Sequence, residues 1–159
     1  MTDTPMVIRE PQFGQLKTVL AKLRTDAAAQ VTFLVDKNGQ SIAVQGDVGN
    51  LDTTSLASLA AGNVAATGGM AQLVGEKEFP TLSHEGEHEN IYICVIGRAL
   101  LIVVFDDQAS LGLVKLRVKQ ASREFAQIFA EINSQANEST DDESLFAEIT
   151  DEDIDSLFK

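Results

Sequence analysis

Tryptophan is absent from this chain, and tyrosine and cysteine each occur once, as Tyr92 and Cys94. One thiol cannot close an internal disulfide, so a packed core must carry the fold and a reducing cytoplasm is the expected setting. Cys94 lies in the apolar run IYICVIG and is expected to be a buried core thiol. Histidine occurs only as His84 and His88, in HEGEH with Gly86 between them. Without further His or Cys ligands, a zinc site would need improvised carboxylates, and a solvated loop is the expected setting instead. The longest apolar run, ALLIVVF at 99–105, is far short of the roughly 20 residues that cross a bilayer as a helix, so no membrane insertion is expected. MTDTPMVIREPQ lacks a basic start followed by a long apolar stretch, so no secretion signal is expected either.

Catalytic patterns are missing as well. The glycines at 62, 68 and 69 precede no Gly-Lys-Ser/Thr, and there is no G-x-S-x-G. Arg24, Arg98, Arg117 and Arg123 fall on expected helices or a tight turn, and none stands on an extended glycine-rich loop of the kind that would present an arginine finger. No cofactor, no metal and no active site of the chain's own are expected.

Positive charge is scarce: 12 Lys and Arg against 24 Asp and Glu, a net charge of -12. Such a field disfavours nucleic acid. Its placement is uneven. Residues 1–136 carry 15 acidic and 11 basic side chains, whereas residues 137–159 carry 9 acidic residues against Lys159 alone. The expected organisation is therefore one domain over 1–136 and an acidic linker with a short amphipathic helical motif over 137–159. With 159 residues, 44% of them apolar, the chain can bury a real core.

Phe13, Leu16, Leu20 and Leu23 recur at helical spacing within 12–25, with Val19 alongside. QVTFLVD and SIAVQG flank Lys-Asn-Gly, a hairpin signal in which Asn38 and Gly39 can take positive φ and Asp36 can accept a local backbone hydrogen bond. A central helix over 51–75 follows, with N-cap candidates at Asp52, Thr53 and Thr54 and Gly75 as its stop. Thr81 to Glu85 form at most a short edge strand. NIYICVIG and ALLIVVFD are two strands joined at Gly97 and Arg98. A final helix over 109–136 places Leu116, Phe125, Phe129 and Ile132 in the core. Separate hairpins predict an antiparallel sheet with helices packed on it, an α+β member of the broad α/β class.

The central helix spends stability on glycine, each costing roughly 1 kcal/mol against alanine in a helix interior. Its large residues, Leu56, Leu59, Val64, Met70 and Val74, are expected to face the sheet. Ser58, Gly62, Ala65 and Gly69 step by four, three and four along a second face almost bare of side chains, widened by Ala61 and Gly68. Such a face admits another backbone at close range. Tight packing within the chain and an intermolecular surface both explain it.

The acidic tail ends in Ile154, Leu157 and Phe158 on one helical face, behind a capping box of Thr150 and Asp153. It reads either as a solubilising tail or as a motif that becomes helical in a partner's groove.

LVDKNGQ at 34–40, LDTTSLASLAAGNVAATGGMAQLVGEKEFP at 51–80, HEG at 84–86 and FDDQASLGLVKLRVKQAS at 105–122 closely resemble the Roadblock family, related to dynein light chains. Within that family the resemblance is to bacterial gliding-motility and polarity regulators, whose ending it shares. It implies a five-stranded antiparallel sheet sandwiched by helices. It further implies a homodimer joined through the central strand and the central helices. The implied function is a GTPase-activating protein for an MglA-like small Ras-like GTPase, bound as two copies to one. Activation would reposition the GTPase's own catalytic residues without an arginine finger. A non-catalytic scaffold that recruits such a GTPase or a polarity protein is the alternative.

The resemblance assigns GTPase contact to Ala65 and Gly69, and the neighbouring Thr54, Ser58 and Gly62 join them on the derived face. It assigns a contribution to nucleotide exchange to Ile154, Leu157 and Phe158. It also implies a cytoplasmic location concentrated at a cell pole.

Overall fold

The computed structural model describes the backbone of residues 7–158 and the side chains of residues 7–135. Eight elements follow in the order α1 (Glu10–Ala27), β1 (Val31–Asp36), β2 (Ser41–Gly46), α2 (Thr53–Leu73), β3 (Thr81–Glu85), β4 (Glu89–Ile96), β5 (Ala99–Asp106) and α3 (Leu111–Phe158). The five strands form one antiparallel sheet in the order β2-β1-β5-β4-β3, so β2 and β3 are its edges.

The middle strand sets the layering. In β5 every residue from Ala99 to Phe105 is buried, which requires cover on both faces. Side-chain alternation then divides the core. Leu34, Leu101, Val103 and Phe105 pack with Leu16, Leu20 and Leu23 of α1 and with Val114, Val118, Phe125 and Ile132 of α3. Val31, Phe33, Leu100, Ile102 and Val104 face the other way, toward Ala57, Ala60 and Ala61 of α2. Two helices thus lie on one face and one helix on the other. Thr32 is fully buried under α1, where its hydroxyl donates to the Leu20 carbonyl at 2.8 Å.

The turns follow local chemistry. Asp36 Oδ1 accepts from the backbone N–H of Asn38 at 2.9 Å and of Gln40 at 3.0 Å, closing the β1–β2 hairpin. Only Gly39 there enters the left-handed region, at φ 94°; Asn38, expected to share that role, does not. Gly46 takes φ 118°, and a Cβ on it would collide with the Gln30 carbonyl and the Arg24 side chain.

Four large residues correct the sequence reading. Leu116 of α3 is 51% exposed, and Val114, Val118, Ala121 and Ile128 join Phe125, Phe129 and Ile132 in the core instead. Leu59, Met70 and Val74 of the central segment are 71%, 59% and 70% exposed. Leu56 and Val64 do pack, half-buried, against the sheet as expected, but Phe33, Leu100, Ile102 and Ile93 already fill most of that face, so the closest contacts are made by alanines. Cys94 is half-buried against the α1/α3 side of the core rather than fully enclosed. The final helix, expected to stop near residue 136, continues without a break to Phe158.

Phe125→Ala is expected to cost about 3–5 kcal/mol through lost burial and the cavity left behind. Gly46→Ala is expected to cost about 1–3 kcal/mol through backbone strain. Urea unfolding midpoints check both.

Candidate functional site

The distinctive surface is built on α2, which carries no Asp, Glu, Lys or Arg from Thr53 to Leu73 in a chain that is 23% charged. Asp52 starts the helix. Its Oδ1 accepts from the Ser55 backbone N–H at 3.0 Å, and the Ser55 hydroxyl donates to Oδ2 at 2.7 Å. Those bonds favour the ionised carboxylate and lower its pKa from the usual value. Thr53 and Thr54 therefore start the helix rather than cap it. At the other end Gly75 sits at φ 88° and its N–H donates to the Gln72 carbonyl at 3.1 Å, which stops the helix as its composition predicts.

Three arcs run along this helix. Ala57, Ala60, Ala61 and Ala71 are buried against the sheet. The outward crest carries Leu59, Ala66, Met70 and Leu73, with Leu73 87% exposed. Between crest and core, about a third of a turn from the sheet-facing direction, lies the flank of Thr54, Ser58, Ala65 and Gly69, all exposed, with Gly62 nearer the crest.

The flank opens into a groove with room for about 290 Å³. Ala61, Val64, Ala65, Gly68 and Gly69 form its helix wall. Leu100 lies in its floor, and Lys37, Lys77 and Glu78 rim it. Lys37 Nζ reaches Glu78 at 3.7 Å, tying the β1–β2 turn to the loop after α2. Of the five sequence-assigned helix residues, the structure places Ala65 and Gly69 in the groove. Ser58 lies apart from them, with its Cα 3.1 Å from where a Cβ on Gly39 would be. Thr54 is in the first turn. The side chains of Ile154, Leu157 and Phe158 lie outside the described residues.

A Cβ built on Gly62, Gly68 or Gly69 would meet nothing within 4 Å. Packing within the chain therefore demands glycine at none of these positions. The space beyond these glycines is open in the protomer.

On the opposite flank, Asn63 Nδ2 and His84 Nε2 lie 2.7 Å apart, linking α2 to edge strand β3. His84 is thus a strand residue with a helix partner, not part of the solvated loop expected from HEGEH. Leu82, Ile91 and Val95 are half-buried on this side of the sheet. Among the described residues no group of three or more His, Cys, Asp or Glu is arranged to hold a metal ion. No helix of the described residues is long and apolar enough to cross a membrane. Burial pushes the Cys94 thiol pKa up, the opposite of what an activated nucleophile needs.

The sequence matches the Roadblock/LC7 domain over residues 15–106, well over half of the chain and spanning α1 to β5. This chain belongs to the Roadblock/LC7 family. Solved structures agree. Myxococcus xanthus MglB is 52% identical, with a TM-score of 0.75 over 79% of this chain and 96% of that one. The gliding protein MglB of Thermus thermophilus is 34% identical, with a TM-score of 0.77 over 82% of this chain and 99% of that one. An MglB described in a tetrameric arrangement is 32% identical, with a TM-score of 0.78 over 82% and 99%. The Roadblock fold expected from the sequence is thus found, with β3, central in chain order, at an edge of the sheet. These matches favour a regulator over an enzyme.

The flanking motif missed by sequence reading is the crest. Leu59, Met70 and Leu73 are apolar and helical in spacing, and nothing in that spacing separates a residue facing the sheet from one facing away.

The Asp52 cap gives a pH prediction. Its folded pKa lies below the unfolded value of about 3.9, so its contribution is full above that pH and is lost as pH falls through the lower folded value. Hydrogen exchange at the Ser55 amide is expected to lose protection over that acid range. In Asp52→Asn this acid-dependent loss is expected to vanish.

Proposed function

We propose that this protein is, as a homodimer, a GTPase-activating protein for an MglA-like small Ras-like GTPase. The observation that carries this reading is a charge-free helix of 21 residues whose glycine-bearing flank the protomer leaves unfilled. Identity of 52% to M. xanthus MglB supports placing it among the MglB-type regulators.

Crest and flank suit two different occupants. Leu59, Met70 and Leu73 on the crest, with half-buried Leu82, Ile91 and Val95 beside the open β3 edge, form a surface suited to a second copy. Burying each exposed large side chain contributes roughly 1.5–3 kcal/mol. Edge-to-edge pairing of β3 would satisfy the unpaired backbone groups of that strand at the same time. The groove along Ala65 and Gly69 lies to one side of the crest, so a dimer paired on the crest keeps a groove on each protomer. Their juxtaposition would give one GTPase a surface drawn from two copies.

The chemistry asked of this surface is modest. Among the described residues, no side chain lining the groove is an arginine. Activation would come from binding the hydrolysis-competent conformation of the GTPase more tightly than the resting one. Shifting a population from about 1% to about 99% takes about 5.5 kcal/mol of differential binding. The exposed, near-bare helix backbone supplies a close-fitting wall against which only one arrangement of the GTPase's mobile loops would fit. In this reading Thr54, Ser58 and Gly62 extend the contact. The tail beyond residue 136, with Ile154, Leu157 and Phe158, adds a separate hold on the GTPase that affects nucleotide exchange. The protein would act in the cytoplasm and, as a polarity regulator, concentrate at a cell pole.

Titrating GTP-loaded partner with the chain is expected to raise phosphate release, saturating at two copies per GTPase. Ala65→Arg combined with Gly69→Arg is expected to abolish that rise while leaving the dimer mass intact; undiminished stimulation would overturn the groove assignment. Binding without faster turnover would establish the scaffold alternative instead. At about 0.5 M salt, where exposed ion pairs are screened, Met70→Arg with Leu73→Arg is expected to convert dimer to folded monomer by light scattering, because both side chains are exposed in the protomer.

A further inference from the structure

Helix α3 separates its charges by length. From Leu111 to Arg123 it carries Lys115, Arg117, Lys119 and Arg123 and no carboxylate. From Glu138 to Asp155 it carries nine carboxylates and no cation. The contrast falls on one continuous helix, Leu111–Phe158.

The basic half also has an unusual surface. Val114, Val118, Ala121 and Phe125 face the core, so Leu116, Lys119 and Arg123 stand on the outward crest with Lys115 at its side. All four are exposed, Leu116 to 51%. Lys22 lies 3.8 Å from Glu124, Lys37 lies 3.7 Å from Glu78, and Lys17 stands over the Phe13 ring at 4.9 Å. Lys115, Lys119 and Arg123 have no ion pair among the described residues. In a chain with a net charge of -12, unpaired cations around an exposed leucine form a surface fitted to a segment that is both acidic and apolar. Residues 138–158 have that composition, with nine carboxylates, Leu145, Phe146 and Ile149.

We propose that the crest formed by Leu116, Lys119 and Arg123, with Lys115, receives the acidic segment 138–155 of a second copy of this chain, pairing two α3 helices antiparallel. A protomer's own segment cannot reach the crest while α3 remains one helix. The centres of the basic and acidic stretches are about 28 residues apart, or about 40 Å at 1.5 Å per residue. An antiparallel second copy brings them together twice, since a two-fold pairing repeats every contact. The helices then cross near residue 133, where the exposed Ala130 and Ser134 are small enough for close approach. This contact lies on the sheet face opposite α2, so it leaves the α2 crest and the α2 groove open; because it engages residues 138–155, it would compete with the hold on the GTPase proposed for the tail. Together the two contacts would join dimers into a larger assembly. Exposed ion pairs are individually weak and are screened by salt, so the association is expected to be concentration-dependent and salt-sensitive.

Full-length Lys119→Cys and Glu148→Cys chains test it, because the antiparallel register sets these positions opposite each other. Under mild oxidation at low salt, an equimolar mixture is expected to give a disulfide-linked species of two chains. Each variant alone is expected to give at least about fivefold less, since like positions lie roughly 40 Å apart. Adding salt to about 0.5 M is expected to reduce the mixed product severalfold. Introducing Met70→Arg and Leu73→Arg into both chains removes the α2 contact and is expected to leave the mixed product in place, which separates this proposal from the α2 dimer. Equal yields in mixed and single samples would overturn it, as would a yield that ignores salt. So would an unchanged assembly mass for Lys115→Glu, Lys119→Glu and Arg123→Glu combined in a chain of wild-type helicity.

Discussion

A five-stranded sheet is wider than one helix. Neighbouring strands lie about 4.8 Å apart, so the outer strands here are about 19 Å apart. A helix with its side chains covers about 10–12 Å. Two helices, α1 and α3, therefore close one face of the sheet, and α2 alone cannot close the other. Residues on that second face toward β3, namely Leu82, Ile91 and Val95, remain half-buried. The protomer is thus well packed on one side and incompletely covered on the other, and the surface proposed for recognition follows from that imbalance.

The composition of α2 fits this position. Alanines at 57, 60, 61 and 71 bring the helix close to a sheet face already filled by aromatic and branched side chains. Leu59, Met70, Leu73 and Val74 are turned outward, away from the core of the isolated protomer. Leaving four such residues exposed is costly in solubility unless another surface covers them. The glycines on the flank are costly in helix stability, and the protomer gains no packing from them. Both features fit the proposed assembly, in which one would be a crest for a second copy and the other a wall for a GTPase. The charge pattern of α3 on the opposite face adds a third surface, for which the acidic segment of a second copy is the proposed complement.

Much of this was legible in the residues. The hairpin at Asp36–Gly39, the helix limits at Asp52 and Gly75, and the strand pair joined at Gly97 all rest on short-range chemistry, which acts within a few residues and leaves a readable signature. The flank of Ser58, Ala65 and Gly69 was legible for the same reason, because three- and four-residue steps place those residues on one side of any helix. Orientation was not. A helix apolar on nearly every side has no polar arc to mark its outside, so Leu59, Met70 and Val74 read as core although they are exposed. Leu116 misled in the same way, between cations whose outward direction only the packing of Val114 and Val118 reveals.

The sequence by itself determined the elements, the antiparallel arrangement and the line of small residues on α2, since all three follow from periodicity and turn chemistry within local windows. Only the tertiary structure decided which side of α2 meets the sheet. That choice depends on the volume of side chains contributed by β1, β4 and β5, brought beneath the helix from distant parts of the chain. The same long-range packing set Ala65 and Gly69 beside Leu100 and the Lys37–Glu78 pair, making a groove from residues that no local spacing connects.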